Sequence, residues 1–300
     1  MLKTLNEIEA KPQIRVSSGF PMFDKALGEN DGIYGFVEGG MYYFYGAPGV
    51  GKSRLSIQMM ENFANQGKTS LVCQGEADLN AFAGWAKNKP DHISKLMYLT
   101  DDMDFATLME LIADLRPSFV VIDSANMVNG IEGVKDIQEK YKTWKKTVSS
   151  ANTVCFLLGQ LNKDGSLKGN TTVPHLVDVV GTMFKPKIKR GTWNVPTEID
   201  GQRFPFTLTW GTDTALNTIF RVEVGKNRFG PSNHFCDFQH RDTGITYLSS
   251  DLETDHTILR WNMPEHEWIV AEYYRKYANQ QATSTKKKGF FGSVLDWLNS

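Results

Sequence analysis

Residues 41–54 read MYYFYGAPGVGKSR, and their order decides the fold. Met41 to Tyr45 form an aromatic run that suits a buried strand, because flat rings fill a pleated surface well. The run passes directly into Gly46, four residues, then Gly51, Lys52 and Ser53. That spacing is a phosphate loop. Its glycines let successive backbone N–H groups converge on phosphate oxygens, and the helix that follows aims the positive end of its dipole there. Lys52 supplies a point charge to the outer phosphates, and Ser53 a hydroxyl to Mg²⁺. Beyond the loop, Leu55, Met59 and Phe63 recur every four residues beside Met60 and Ala64, a helix face that ends near Gly67. Strand, loop and helix in this order define a nucleoside-triphosphate site. Its contacts are expected from Gly46, Ala47, Pro48, Gly49, Val50, Gly51, Lys52, Ser53 and Arg54.

Outward from this unit, strands and helices alternate. TSLVCQG, LMYLT, SFVVID and TVCFLLGQ read as strands. ADLNAFAGWAKNK, DFATLMELIADL and VKDIQEKYKTWKKTVSSA read as helices, the first two stopped by Pro90 and Pro117. Such alternation predicts an α/β fold with a mostly parallel central sheet covered by helices. Residues 1–40 read as an N-terminal preamble and 41–248 as the core. Within the core, 185–217 interrupt the pattern with Pro, Gly and Thr and read as an insertion. Residues 249–278 read as a C-terminal extension, 279–288 as a basic linker and 289–300 as an apolar tail.

Further candidates stand at strand ends. Asp123 closes FVVID, at the carboxyl edge of the sheet beside the phosphate loop, where a carboxylate holds Mg²⁺ through water or caps a helix. Glu76 follows another strand and is either a water-orienting carboxylate or a turn residue. Gln160 ends a third, as a γ-phosphate-sensing amide or a plain hydrogen-bonded one. In FRVEVGKNRFGPSNHF (220–235), Phe220, Val222 and Val224 alternate with Arg221 and Glu223. Lys226 and Arg228 then project the same way from the strand's end.

Composition narrows the classes. The chain has 300 residues, formal net charge −1 and 41% hydrophobic residues, enough for one large core or two modest ones. A nucleic-acid-binding face must therefore be a local patch. No apolar run approaches the ~18 residues of a membrane span. The first residues lack the apolar core of a secretory signal, so a cytoplasmic setting is expected. Cys73, Cys155 and Cys236 lie far apart without a C-x-x-C, and the histidines have no metal-ligand spacing.

Taken together these residues resemble a RecA-type ATPase core, and more narrowly the central ATPase domain of the RadA/Sms family and its DnaB-helicase relatives. The likeness runs from about SSGFPMFDKALG (17–28) to about DFQHRDTGI (237–245). Beyond the phosphate loop it rests on QGEAD (74–78), NKDGSLKGNTTVPHLVDVV (162–180) and KNRFGP (226–231), the last matching the family's signature pentapeptide. The resemblance implies ATP and Mg²⁺ as cofactors, with Glu76 activating water. It implies a homo-oligomer, hexameric ring or filament, with ATP between subunits. Lys226 and Arg228 map onto the Lys-x-Arg pair that reaches the neighbour's γ-phosphate. Antiparallel strands are expected at the C-terminal side of the sheet.

The resemblance also implies single-stranded DNA as partner, in contact with loops at 126–136 and 162–172. Lys163 and Lys168 stand in the second. Neither loop has an aromatic side chain, so backbone binding with strong salt dependence is expected. Lys185, Lys187, Lys189 and Arg190 in KPKIKR are a duplex-DNA patch or a solvated face. The tail carries Phe291, Leu295 and Leu298 at helical spacing and is expected to dock within the assembly, on its own core or a neighbouring subunit, the alternatives being a protein partner or an anionic membrane. The likeness implies a DNA-dependent ATPase acting in recombination, repair or replication by branch migration. Its alternatives are a strand-exchange recombinase or a KaiC-like switch that does not bind DNA. Three features depart from the family: no four-cysteine zinc cluster precedes the core, about fifty residues follow it where a Lon-protease-like domain is usual, and the insertion at 185–217 is longer than the matching family segment. A stand-alone core of this kind suits a bacterial cell or one infected by a bacteriophage.

Overall fold

The computed structural model describes residues 13–75, 89–131, 133–162, 165–169, 171–185, 191–199, 202–210, 219–241 and 244–250. Its centre is a nine-stranded sheet. The strands are β5 (Met41–Gly46), β6 (Ser70–Gln74), β7 (Met97–Thr100), β8 (Phe119–Asp123), β9 (Val154–Gln160), β10 (Val179–Phe184), β13 (Ile219–Asn227), β14 (His234–Arg241) and β15 (Gly244–Ser250). Their spatial order is β15-β14-β13-β10-β5-β9-β8-β6-β7. The six strands from β10 to β7 run parallel. β13 joins β10 antiparallel, and β15 joins β14 antiparallel. This is the expected mostly parallel sheet with antiparallel C-terminal strands.

Strands covered on both faces must be apolar on both, and these are. Tyr42, Phe44, Phe119, Val121, Phe156 and Leu158 enter one core. Their alternates Met41, Tyr43, Val120, Ile122, Cys155 and Leu157 enter the other. α2 (Lys52–Asn65) covers the first face with Leu55, Met59 and Phe63, which confirms the four-residue stripe. α4 (Phe105–Leu115) and α5 (Gly133–Ala151) cover the second with Leu108, Ile112, Tyr141, Trp144 and Val148. The Asp104 carboxylate starts α4 by accepting from the Ala106 and Thr107 amides, so the helix begins one residue past its cap. A short α3 (Asp91–Ser94) follows Pro90. The helix expected at 77–89 lies outside the described residues except for Lys89.

Residues 13–40 contribute more than a preamble would. β1 (Arg15–Val16) pairs with β4 (Phe36–Val37), and β2 (Glu29–Asn30) with β3 (Ile33–Tyr34), around α1 (Pro21–Leu27). Phe23 and Phe36 are fully buried in the first core. Phe36 meets Tyr42, Phe119 and Phe156 at centroid distances of 4.8, 5.7 and 6.0 Å. The Val37 amide donates to the Tyr42 hydroxyl at 2.6 Å. Within the expected insertion, β11 (Gly191–Ile199) and β12 (Gln202–Trp210) form an antiparallel hairpin in a second compact unit.

Candidate nucleotide-binding site

The phosphate loop leaves β5 at Gly46 and enters α2 at Lys52. Gly49 and Gly51 adopt φ of 72° and 116°, a region that L side chains rarely occupy, and a Cβ on Gly46 would fall 2.2 Å from the Met183 carbonyl oxygen, so all three glycines answer backbone requirements. Ala47, Pro48 and Gly49 are exposed, while Val50 beside them is buried. Lys52 is buried, and its ammonium donates to the Gly46 and Ala47 carbonyls at 2.9 and 3.0 Å, inside the loop. Backbone donors, a helix N-terminus and an interior ammonium together form a cradle for polyphosphate.

Ser53 and Asp123 come together as the sequence predicts. The Ser53 hydroxyl donates to Asp123 Oδ2 at 2.5 Å, and Gln74 Nε2 approaches the same oxygen at 3.4 Å. Asp123 is buried at the end of β8. One hydroxyl and one carboxylate, both oxygen donors, suit Mg²⁺, which takes its other ligands from phosphate and water. Among the described residues no group of three or more His, Cys, Asp or Glu side chains forms a metal cage. Glu76 lies outside the described residues. Gly75, just before it, donates its N–H to the Asp123 carbonyl at 2.9 Å.

Gln160 ends β9 next to Gly46 on β5, so it stands on the loop edge of the sheet. Its side-chain oxygen accepts from Lys168 Nζ at 3.2 Å, and its carbonyl accepts from the Lys168 amide at 2.8 Å. The expected sensor is thereby tied to the expected second DNA loop. A Cβ on Gly169 of that loop would lie 2.8 Å from Asn126 Oδ1, so the 126–136 and 162–172 loops abut. Lys168 and Lys185 are exposed. Lys163, Lys187, Lys189 and Arg190 lie outside the described residues, as does the tail.

The KNRFGP segment lies at the opposite edge. β13 runs antiparallel to β10, which sets Arg221 beside Phe184 near the loop edge and Lys226 beside Val180 near the other. Phe220, Val222 and Val224 are fully buried while Arg221 and Glu223 are not, the period-two pattern expected. Each residue of the segment has a physical task. Lys226 donates to the Pro174 and Val177 carbonyls at 2.9 and 2.7 Å, closing the end of α6 (Val173–Leu176). Burial, with Arg228 adding to it, pulls the Lys226 ammonium below the usual lysine range. Asn227 turns the chain by accepting from the Phe229 amide at 2.9 Å and holds the Leu27 carbonyl at 3.1 Å. Phe229 packs on the first core. Gly230 meets Gly28 so closely that a Cβ on it would fall 2.7 Å from the Gly28 Cα.

Three residues of this framework had no motif to announce them. Asp178 is buried, accepts from the Met41 amide at 3.1 Å, and pairs with Lys145 and with Arg228. Arg15 is buried and donates to the Leu27, Gly35 and Phe229 carbonyls, which fastens residues 13–40 to the signature segment. His240 reaches from β14 to the phosphate loop, with Nε2 3.3 Å from the Val50 carbonyl. Only the alternation of Val177, Asp178 and Val179 hinted at one of them, a lone acid at the head of an apolar strand.

An open, mostly parallel sheet with a phosphate loop at its carboxyl edge and an acid at the end of β8, with β9 between the two strands, defines a RecA-like P-loop core. No family model matches the chain. It is 26% identical over 243 residues to the DNA repair protein RadA of Aquifex aeolicus, covering 79% of this chain and 47% of that protein. It is 28% identical over 239 residues to DNA repair protein RadA of Mycobacterium tuberculosis, covering 76% and 42%. With the RadA of Bacillus subtilis it shares 23% over 258 residues, 83% and 48%. The chain is therefore RadA/Sms-like across its core, and it spans less than half the length of these curated relatives. Among the described residues no helix is long and apolar enough to cross a membrane.

Proposed function

We propose that the chain is a DNA-stimulated ATPase. It assembles on single-stranded DNA as a hexameric ring or filament and remodels or translocates DNA in recombination, repair or replication within a bacterial cell. The phosphate-loop amides and Lys52 bind the outer phosphates of ATP. Ser53 and Asp123 hold Mg²⁺, which when bound neutralises phosphate charge. Glu76 orients the water that attacks the γ-phosphorus, the bond from that phosphorus to the β–γ bridging oxygen breaks, and ADP and inorganic phosphate leave. Gln160 links the site to the DNA loop through Lys168. Lys163 and Lys168 track the DNA backbone, Lys185, Lys187, Lys189 and Arg190 offer further cations to DNA, and the apolar tail takes a protein partner.

The observation that carries this reading is the location of Arg228. From Met41 to Gly46 β5 spans roughly 16 Å at about 3.3 Å per residue. Arg228 pairs with Asp178 at the Met41 end, and the phosphate loop opens at the Gly46 end. A side chain does not bridge that span, so Arg228 stays out of reach of its own chain's nucleotide, which supports a role toward a nucleotide on another copy. A cation supplied in trans stabilises charge on the transferring phosphoryl group and makes turnover depend on assembly. The similarity to DNA repair protein RadA supports DNA as the partner.

ATP turnover with and without single-stranded DNA, at two salt concentrations, tests the reading. Strong stimulation that weakens with salt is expected, because Lys contacts to phosphates release counterions. Turnover indifferent to DNA would refute it in favour of an ATPase switch.

A further inference from the structure

We propose that His240 is a positioning residue for the phosphate loop, fixing the peptide between Val50 and Gly51 so that its N–H faces the phosphates. The inference rests on the nucleotide-binding part of the proposed function. A carbonyl only accepts, so the 3.3 Å approach of His240 Nε2 to the Val50 oxygen requires the hydrogen on Nε2. In a trans peptide the carbonyl and the next N–H point in opposite directions. Holding the Val50 carbonyl against β14 therefore turns the Gly51 N–H the other way, toward the open side of the loop. Left loose, the same peptide could turn its carbonyl toward the phosphates and repel them.

Packing makes the contact specific. The His240 ring stacks on Phe220 at 4.7 Å and 26°. Phe220 in turn stacks on Phe238 at 5.5 Å and 18°. Gly51 gives the imidazole its room, since a Cβ there would fall 2.3 Å from Nε2. Nδ1 is buried without a hydrogen-bond partner among the described residues. That atom is the acceptor form of the ring, as the Nε2 tautomer demands. Burial, with Arg54 and Lys185 nearby, disfavours the imidazolium, so His240 acts as a neutral donor.

Binding of Mg-ATP to wild type, Lys52→Ala, His240→Phe and His240→Gln tests the inference. Phenylalanine keeps the stack and loses the donor; glutamine returns an amide donor at similar reach. His240→Phe should raise Kd about threefold to tenfold, the worth of one hydrogen bond. His240→Gln should stay within about twofold of wild type, a rescue that loss of packing alone would not give. Equal affinity in His240→Phe and wild type, or equal weakness in both variants, overturns the inference. If His240→Phe does not fold, the ¹⁵N spectrum of wild-type His240 decides: an Nε2–H tautomer perturbed by Mg-ATP supports the role, and an Nδ1–H tautomer overturns it. Wild type that fails to bind Mg-ATP sinks both readings. Wild type that binds it but ignores DNA refutes only the motor, and the variants still decide on His240.

Discussion

Arg228 meets Asp178 at 3.5 Å while half of its side chain stays exposed, and Asp178 also accepts from the first amide of the strand that ends in the phosphate loop. The buried carboxylate orients the guanidinium without enclosing it. Arg228→Ala should therefore keep Mg-ATP affinity and lose DNA-stimulated turnover by about 10³-fold or more, the scale of an arginine finger. An equimolar mixture of Arg228→Ala and Glu76→Gln subunits should recover part of the turnover, because some interfaces then join an intact site to an intact finger. Absence of recovery with assembly intact, read by sedimentation, would count against a shared site.

Lys226 contributes differently from its neighbour. Its ammonium closes the end of α6, directly after the 162–172 loop. A cation at a helix C-terminus with charge-assisted hydrogen bonds stabilises by about 1–2 kcal/mol. Lys226→Ala should lower unfolding free energy by that amount in a denaturant titration. It should also weaken single-stranded DNA binding without changing its salt slope, since Lys226 acts on the loop and not on phosphate. Lys168→Ala, by contrast, should reduce the slope by about one counterion. Equal slope changes in the two variants would put Lys226 on the DNA itself.

Phe36 tests whether residues 13–40 belong to the core. Its ring meets five aromatic neighbours, Phe23, Tyr42, Phe63, Phe119 and Phe156. Phe36→Ala should cost about 3–5 kcal/mol, the range for a buried aromatic truncated to alanine. A chain begun at Met41 should bare Phe44, Phe63 and Phe156 and aggregate. A soluble, cooperatively melting product from that truncation would show that the sheet stands without them.

These cases mark what the sequence could convey. The parallel sheet was legible because both faces of β5, β8 and β9 are apolar and helices alternate with them. The phosphate loop was legible because its glycines answer a local backbone demand at Gly49 and Gly51. Asp178, Arg15 and His240 were not, since their partners lie far off in the chain. Arg15 and Phe229 are 214 positions apart, and His240 and Val50 are 190. Residues 13–40 hid for a related reason. Their strands are two residues long and too short for periodicity, so only tertiary burial reveals Phe23 and Phe36 as core.

His240 also makes a prediction about pH. Burial lowers its folded pKa below the ordinary histidine value, with Arg54 from α2 and Lys185 beyond β10 acting in the same sense and the Val50 hydrogen bond opposing them. Between the folded pKa and about 6.5 the unfolded chain binds more protons at this site than the folded one. Stability then rises with pH across that window. The contribution is fully present above about pH 6.5 and is lost as the medium is acidified toward the folded value. His240→Gln removes the titration while keeping the donor. Unfolding free energies measured from pH 5 to 7.5 should therefore converge on acidification, the wild type losing more stability than His240→Gln. Parallel curves would mean that the imidazole titrates alike in both states, and that the β14 side of the phosphate loop is wetter than its packing on Phe220 implies.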